Sequence, residues 1–339
     1  MVDRNLNPGR SVQTFTIPPL GTHNTVPPFT TVVRRGVQAQ LHAITVTGEV
    51  QGPTLYVGGG THGDEINGME AAWQISREVN YRKLKGSLII VPIQNPAAFQ
   101  FRTRLNPFDP IDPDWVHPGD PNGSYTQRIK HILNHLEYKA DCVIDLHTAG
   151  AGGSNNPMIY VPPEIGNGGG ERSLKSALAF GGDRIVYGKR EKDYGWPVTF
   201  AMPFVAVRDE RAGIYSEAGQ GGAIVPEDRF VSYFVNGVFN VIFMMGMLEG
   251  KIVEQGERLV VDPLSEGVQI VRAPAEGILK PLVKVGDRVE KGQILAEVHI
   301  VPEGIEFIRS PQDGLITYLQ QFGPTGAGDR VVEVSPSKV

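Results

Sequence analysis

The run from Val57 to Glu70, Val-Gly-Gly-Gly-Thr-His-Gly-Asp-Glu-Ile-Asn-Gly-Met-Glu, constrains this chain more than any other stretch. It leaves an apolar strand (Thr54 to Val57), crosses three glycines where the backbone must turn tightly, and resumes helical spacing at Ile66, Met69, Ala72 and Trp73. A strand, a glycine loop and a helix in that order belong to an α/β sheet, whose chemistry gathers at the carboxyl ends of its strands. His62 and Glu65 are delivered there three residues apart, close enough for an imidazole and a carboxylate to face one metal ion.

The pair alone is weak. With 37 acidic residues and eight histidines in 339 residues, about one His-x-x-acid pair arises by chance. His117 and Asp120 form a second one, inside the turn-forming run Val116 to Gly123. A distant partner lifts the first pair: the buried strand Cys142 to Leu146 runs into Asp145-Leu146-His147-Thr148-Ala149-Gly150 and leaves His147 at a strand end. Two ligands close together, a third far along the chain and an open fourth position make the usual catalytic zinc pattern.

The remaining sequence fills in the scaffold. Residues 1–30 carry scattered Pro and Thr and are expected to wrap the surface or form an edge strand. Val37 to Thr47 alternates as a strand, Gly68 to Val79 reads as a helix, and Ser87 to Ile93 reads as a buried parallel strand. The connection Asn95 to Asn122 is long and rich in Pro, Asp and Asn, which points to a functional loop. Thr126 to Leu136 and Glu171 to Phe180 read as helices, and Tyr194 to Pro197 as a loop beside the pocket. Phe230 to Leu248 is apolar over nearly a bilayer's span, but its Ser, Asn and Gly residues and the helix start at Pro226-Glu227-Asp228 favour a buried core helix.

Composition excludes several classes. A net charge of -5 with 20% charged residues offers no basic stripe for nucleic acid. The single cysteine, Cys142, excludes an internal disulfide framework and sits in a buried strand rather than at a nucleophile's position. The first residues lack an apolar signal core, so a cytoplasmic protein without membrane partners is expected.

Gly60-Thr61-His62-Gly63-Asp64-Glu65, Asn95-Pro96, Arg102-Thr103-Arg104, Asp145-Leu146-His147 and Ser216-Glu217-Ala218-Gly219 occur in that order over a chain that, from about residue 35 to 335, resembles the succinylglutamate desuccinylase/aspartoacylase family of zinc carboxypeptidase-like hydrolases. The resemblance implies a mixed, mostly parallel sheet flanked by helices. It implies hydrolysis of a carbon–nitrogen bond other than a peptide bond, in a small N-acylated amino acid or amine. One zinc ion per chain would be held by His62, Glu65 and His147. Glu217 matches the general base for a zinc-activated water, Arg104 the oxyanion-stabilising arginine, and Asp112 an acid that supports a zinc histidine. Asn95, Arg102, Asp114 and Trp115 fall at positions expected to contact substrate.

One departure bears on specificity. Where the family usually has Asp-Leu-Asn-Arg, with Asn and Arg gripping a substrate carboxylate, this chain has Asp112-Pro113-Asp114-Trp115. An acid cannot supply that bidentate grip. The readings left open are a neutral or amine-bearing substrate facing Asp114 and Trp115, or an anchor supplied by Arg102.

Beyond residue 255 the character changes. Ile270 to Leu279 is echoed 37 positions later by Phe307 to Ile316, and short strands with Gly turns predict a small all-β module. It resembles the barrel-sandwich fold of biotinyl and lipoyl carriers, but the intervening hairpin, His299 to Ile305, has no carrier lysine. The expected domains are thus an N-terminal segment, 1–34, a catalytic domain, 35–255, and a C-terminal β domain, 256–339. The first function class is a zinc-dependent deacylase, with a homo-oligomer compatible. The others are a non-catalytic binding protein on the same fold and a peptide carboxypeptidase, against which the missing carboxylate anchor speaks.

Overall fold

The structure, a computed structural model, describes residues 9–17, 39–150, 152–161, 168–187, 201–203, 206, 209–223, 225–256, 259–261, 267–321 and 323–336. The expected loop Tyr194 to Pro197 lies outside them.

The centre is a parallel sheet of β3 (Val50–Gly59), β4 (Lys85–Val91), β5 (Cys142–His147) and β8 (Ala212–Gln220), ordered β4-β3-β5-β8. On one side β2 (Ala39–Thr47) pairs antiparallel with β4, and β1 (Arg10–Ile17) forms the edge strand expected of the N-terminal segment. On the other, β6 (Gly153–Val161) pairs antiparallel with β8 and parallel with β7 (Arg184–Tyr187). The sheet is therefore more mixed than expected, because both flanks reverse direction around a parallel centre.

Two apolar layers cover this sheet. Alternation sends Leu55, Val57, Cys142, Ile144, Leu146, Ile214 and Ala218 to one face. There they pack with α1 (Ile66–Glu78), α4 (Gly169–Phe180) and α5 (Asp228–Met244). Helix α5 is the apolar run weighed above as a membrane span; Phe230, Phe234, Val238 and Val241 are buried in this core. No described helix is long and apolar enough to cross a membrane. Tyr56 and Val143 face the opposite layer, with Tyr125, Ile129 and Leu133 of α3 (Tyr125–Glu137). Helix α3 begins at a full capping box, in which the Ser124 hydroxyl accepts from Gln127 N–H and the Gln127 side chain accepts from Ser124 N–H. The long connection holds more order than its composition predicts: α2 (Pro96–Phe101) and a 3-10 turn over Pro113–Trp115 interrupt it.

The C-terminal residues form short strands, as the repeat predicts. β10 (Gln269–Arg272) leads through a turn to β11 (Gly277–Pro281), β12 (Arg288–Val289) and β13 (Ile294–His299) follow, and β14 (Ile305–Arg309) leads likewise to β15 (Gly314–Gln320), with the short β16 (Pro324–Thr325) after it. These strands have their own core, including Leu279, Leu295, Val298, Ile316 and Val332. They are not hydrogen-bonded only to one another. β15 pairs with β6 through Tyr318↔Asn155 and Leu319↔Ser154, and with β17 (Arg330–Ser335) on its other edge. β9 (Leu259–Val261) pairs with β7. Sheet hydrogen bonding thus crosses the boundary drawn at residue 255.

Candidate active site

The glycine loop after β3 is shaped by close packing. Gly60 adopts φ +66°, and a Cβ on Gly63 would fall 2.0 Å from the Ala98 carbonyl carbon. Glu65 takes the N-cap position of α1 without capping it. Its carboxylate turns instead between two imidazoles, with Oε1 2.9 Å from His62 Nδ1 and Oε2 2.9 Å from His147 Nδ1. His62, Glu65 and His147 are all buried, and their donor atoms lie within 4.8 Å of one another. The parallel register of β5 and β8 sets His147 directly beside Glu217.

The Nε2 edges of both imidazoles face acids. His62 Nε2 stands 3.0 Å from Asp112 Oδ1 and 3.9 Å from Asp114 Oδ2, and His147 Nε2 stands 3.2 Å from Asp145 Oδ2. Asp145 also accepts from Gln94 and Thr61. Arg104 bridges the cluster, donating from Nη1 to Glu65 Oε1 at 2.8 Å and from Nη2 to Asp112 Oδ2 at 3.2 Å. Thr148 N–H donates to Glu65 Oε2.

Charges in this dry site shift one another strongly. Burial alone would lower the pKa of His62, but Glu65 and the bond to Asp112 raise it to about 9. His147 is raised well above its ordinary value against the same burial, by Asp145 and Glu65. Burial works against ionisation of Glu65, yet the two histidines hold it well below the carboxylate range. Glu217 moves the other way: burial first, then Glu65, push it up to about 7. Its Oε2 accepts from Asn155 Nδ2 of the neighbouring strand β6. Cys142, by contrast, is buried with its thiol pushed up to about 12, an inert core residue.

A metal ion fits this arrangement. His62 Nδ1 is buried without a hydrogen-bond partner, and it faces one oxygen of a carboxylate whose other oxygen faces a second imidazole. Two imidazole nitrogens and a carboxylate, each imidazole backed by an acid, form a donor set suited to zinc.

The residues expected to hold substrate are scattered. Asn95 is buried and occupied by the fold: it caps α2 by accepting from Ala98 N–H and donates to Thr61 O. Arg102 ends α2 at φ 57°, exposed, and its guanidinium makes no ion pair among the described residues. Trp115 is 53% exposed, whereas its neighbour Asp114 is buried on the Nε2 side of His62. Asp114 Oδ2 accepts from Tyr215 OH at 3.0 Å, and its Oδ1 is buried without a partner. Sequence reasoning gave no role to Asp145, although a period of two from His147 places both on one face of β5. It also passed over Tyr215 and Asn155, which only strand register brings to the site.

A family model described as the succinylglutamate desuccinylase/aspartoacylase catalytic domain matches residues 51–228. A second, described as an uncharacterised protein conserved in archaea, matches residues 247–332. The N-alpha-acetyl-L-2,4-diaminobutyric acid deacetylase of Halomonas elongata is 28% identical over 76% of this chain and 73% of its own length. A succinylglutamate desuccinylase/aspartoacylase from Rhodobacter sphaeroides superposes with a TM-score of 0.75 at 25% identity, over 89% of this chain and 90% of the other. The product-bound ectoine utilisation protein EutE (DoeB) of Ruegeria pomeroyi shares the fold at TM-score 0.75 and 23% identity, over 88% and 90% of the two chains.

Proposed function

The chain belongs to the succinylglutamate desuccinylase/aspartoacylase family, and on that premise we propose that it is a zinc-dependent deacylase cleaving the amide bond of a small N-acylated amino acid or amine. The observation that carries the reading is Glu65 seated between His62 Nδ1 and His147 Nδ1, with Glu217 in register beside His147. The Halomonas relative's name gives a substrate of this class, an N-acetylated diamino acid.

A zinc ion held by His62, Glu65 and His147 would supply Lewis acidity, lowering the pKa of water from about 15.7 towards 7 and polarising an acyl oxygen. The rest falls to the chain. Glu217, buried and raised to about 7, takes the proton of the attacking water and returns it to the departing amine. A base poised near the working pH does both without a large penalty in either direction. Arg104, held in place by Glu65 and Asp112, puts positive charge where the acyl oxygen becomes negative. Asp112 holds His62 by a hydrogen bond at Nε2 and Asp145 stands 3.2 Å from His147 Nε2, so that both imidazoles turn Nδ1 towards Glu65. A protein that only bound ligand would have no use for a buried carboxylate next to metal donors.

The test is metal content by elemental analysis, with amide hydrolysis over a panel of N-acyl amino acids and N-acyl diamines, for wild type and Glu217→Gln. One metal per chain and turnover reduced about 10²- to 10⁴-fold in a variant that keeps its metal is the expected result. A protein inert on the whole panel after zinc is added would refute the deacylase.

A further inference from the structure

Glu217 stands near the end of β8, while the residues it must work beside lie on two other segments of the chain. Backbone hydrogen bonds tie these pieces together. Gly219 O accepts from Ala149 N–H at 3.2 Å, and Gly222 N–H donates to Asp64 O at 3.0 Å, so the end of β8 is joined to the segments that carry His147 and Glu65. A further tie is made by side chains. Asn67, in the first turn of α1 and two residues after Glu65, is completely buried. Its Oδ1 accepts from Glu227 N–H at 2.9 Å, and its Nδ2 donates to Glu227 Oε2 at 2.9 Å and to Ala218 O at 3.4 Å. Glu227 Oε2 also accepts from Gln220 N–H at 2.8 Å.

Glu227 occupies the N-cap position of α5, yet its side chain makes no capping bond to that helix. A carboxylate at that position normally serves the helix it precedes. This one turns back to β8 and α1 instead. Helix α5 does not depend on it for anchorage, because Phe230, Phe234, Val238 and Val241 bury the helix in the core. Gly219 leaves room for the arrangement: a Cβ there would collide with both Asn67 Nδ2 and Glu227 Oε2. Two backbone groups that closely follow Glu217, the Ala218 carbonyl and the Gln220 N–H, are thus bonded to one pair of side chains rooted one helical step from Glu65. Such a link bears on rate, since misplacing a catalytic group by about 1 Å costs about 10²-fold.

Resting on the deacylase reading, we propose that Asn67 and Glu227 are positioning residues for the base: as one hydrogen-bonded unit they hold the end of β8, and with it Glu217, at a fixed distance from Glu65. They act through the backbone of Ala218 and Gln220. The bonds of Glu65 to His62, His147 and Arg104 do not pass through Glu227. Loss of the Glu227 carboxylate therefore shifts the base and leaves the three metal donors in place.

The experiment measures kcat, KM and zinc affinity on an N-acetyl amino acid for wild type, Glu227→Ala, Glu227→Gln, Asn67→Ala and the double alanine variant, each well below its Tm. Glu227→Ala should lose about 10- to 100-fold in kcat, with KM and zinc affinity within about 2-fold of wild type. Glu227→Gln, whose carbonyl oxygen accepts the same two bonds, should recover most of that loss. Asn67→Ala should also lose kcat, and the double variant should lose no more than the worse single one. Wild-type kcat in Glu227→Ala, a parallel fall in its zinc affinity, an equal loss in Glu227→Gln, or additive losses in the double variant overturns the proposal. If one alanine variant does not fold, the other decides. If wild type hydrolyses no substrate, the deacylase reading fails, and hydrogen exchange over residues 212–223 judges the clamp separately. Faster exchange there in Glu227→Ala upholds the clamp, and unchanged exchange overturns it.

Discussion

Tyr215 lies flat on the His147 imidazole, ring centroids 3.9 Å apart and planes 13° from parallel, while its hydroxyl donates to Asp114 Oδ2. One side chain thus fixes the tilt of the His147 imidazole and satisfies a buried acid whose other oxygen has no partner. Tyr215→Phe keeps the stack and strips Asp114 of that donor. It should cost about 1–3 kcal/mol of stability in denaturant unfolding while metal content stays at one per chain.

Asp112 holds His62 from behind and Arg104 from the side. Asp112→Asn preserves the shape but leaves the imidazole a weaker acceptor and the guanidinium without one of its charges. Zinc affinity, measured by competition with a chromogenic chelator, should fall about 10- to 100-fold. An unchanged affinity would mean that His62 is oriented by packing alone.

Metal loading should be coupled to protons. In the metal-free protein His62, raised to about 9, and His147, raised well above its ordinary value, are protonated at neutral pH. Both protons must leave before Nδ1 can bind a cation. Calorimetry in buffers of different ionisation heat should show close to two protons released at pH 7. The same raised values stabilise the metal-free fold fully below the unfolded histidine pKa of about 6.5 and are lost as pH rises through about 9. Its Tm should fall across that window, and added zinc should remove the decline.

Activity has its own pH limb. The proposed base, Glu217, can take a proton only when ionised, and burial with Glu65 pushes its pKa up to about 7. Bound zinc adds positive charge nearby and favours the carboxylate. The expected profile is a kcat/KM that falls on acidification below about pH 7. The residual activity of Glu217→Gln should lack that limb.

Gly63 tests the loop. A methyl group there meets the Ala98 backbone at 2.0–2.3 Å, and backbone cannot swing aside as a side chain can. Gly63→Ala should displace the segment that carries both His62 and Glu65, lowering Tm by several degrees, consistent with a cost of about 2 kcal/mol or more, and weakening zinc binding with it.

The half of the site that local pattern can reach was legible before any coordinates. His62 and Glu65 are announced by a glycine turn between a strand and a helix, and His147 by its place at a strand end; all three meet, and Glu217 stands beside them. The helices at Glu171 to Phe180 and Phe230 to Leu248 fell close to α4 and α5, because their apolar spacing is strong. Asn95 has a structural duty that its place before a Pro also signals, since an Asn there is apt to cap a helix, and here it caps α2. The burial of Asp114 against Tyr215 was not legible, because sequence gives a residue's address but not the direction of its side chain. That Asn155 lies beside Tyr318 depends on β6 meeting β15, and nothing near those residues in the chain signals that pairing.

That pairing has a temporal side. Residues 153–161 leave the ribosome roughly 160 positions before the strand that will lie against them, so a nascent chain can fold its parallel centre and assemble His62, Glu65 and His147 while the outer edge of β6 is still bare. An unpaired edge invites other chains, and here its partner is made long after it. Synthesis of β15 is thus the step that covers the outer edge of β6 and adds the next strand beyond Asn155 and Glu217.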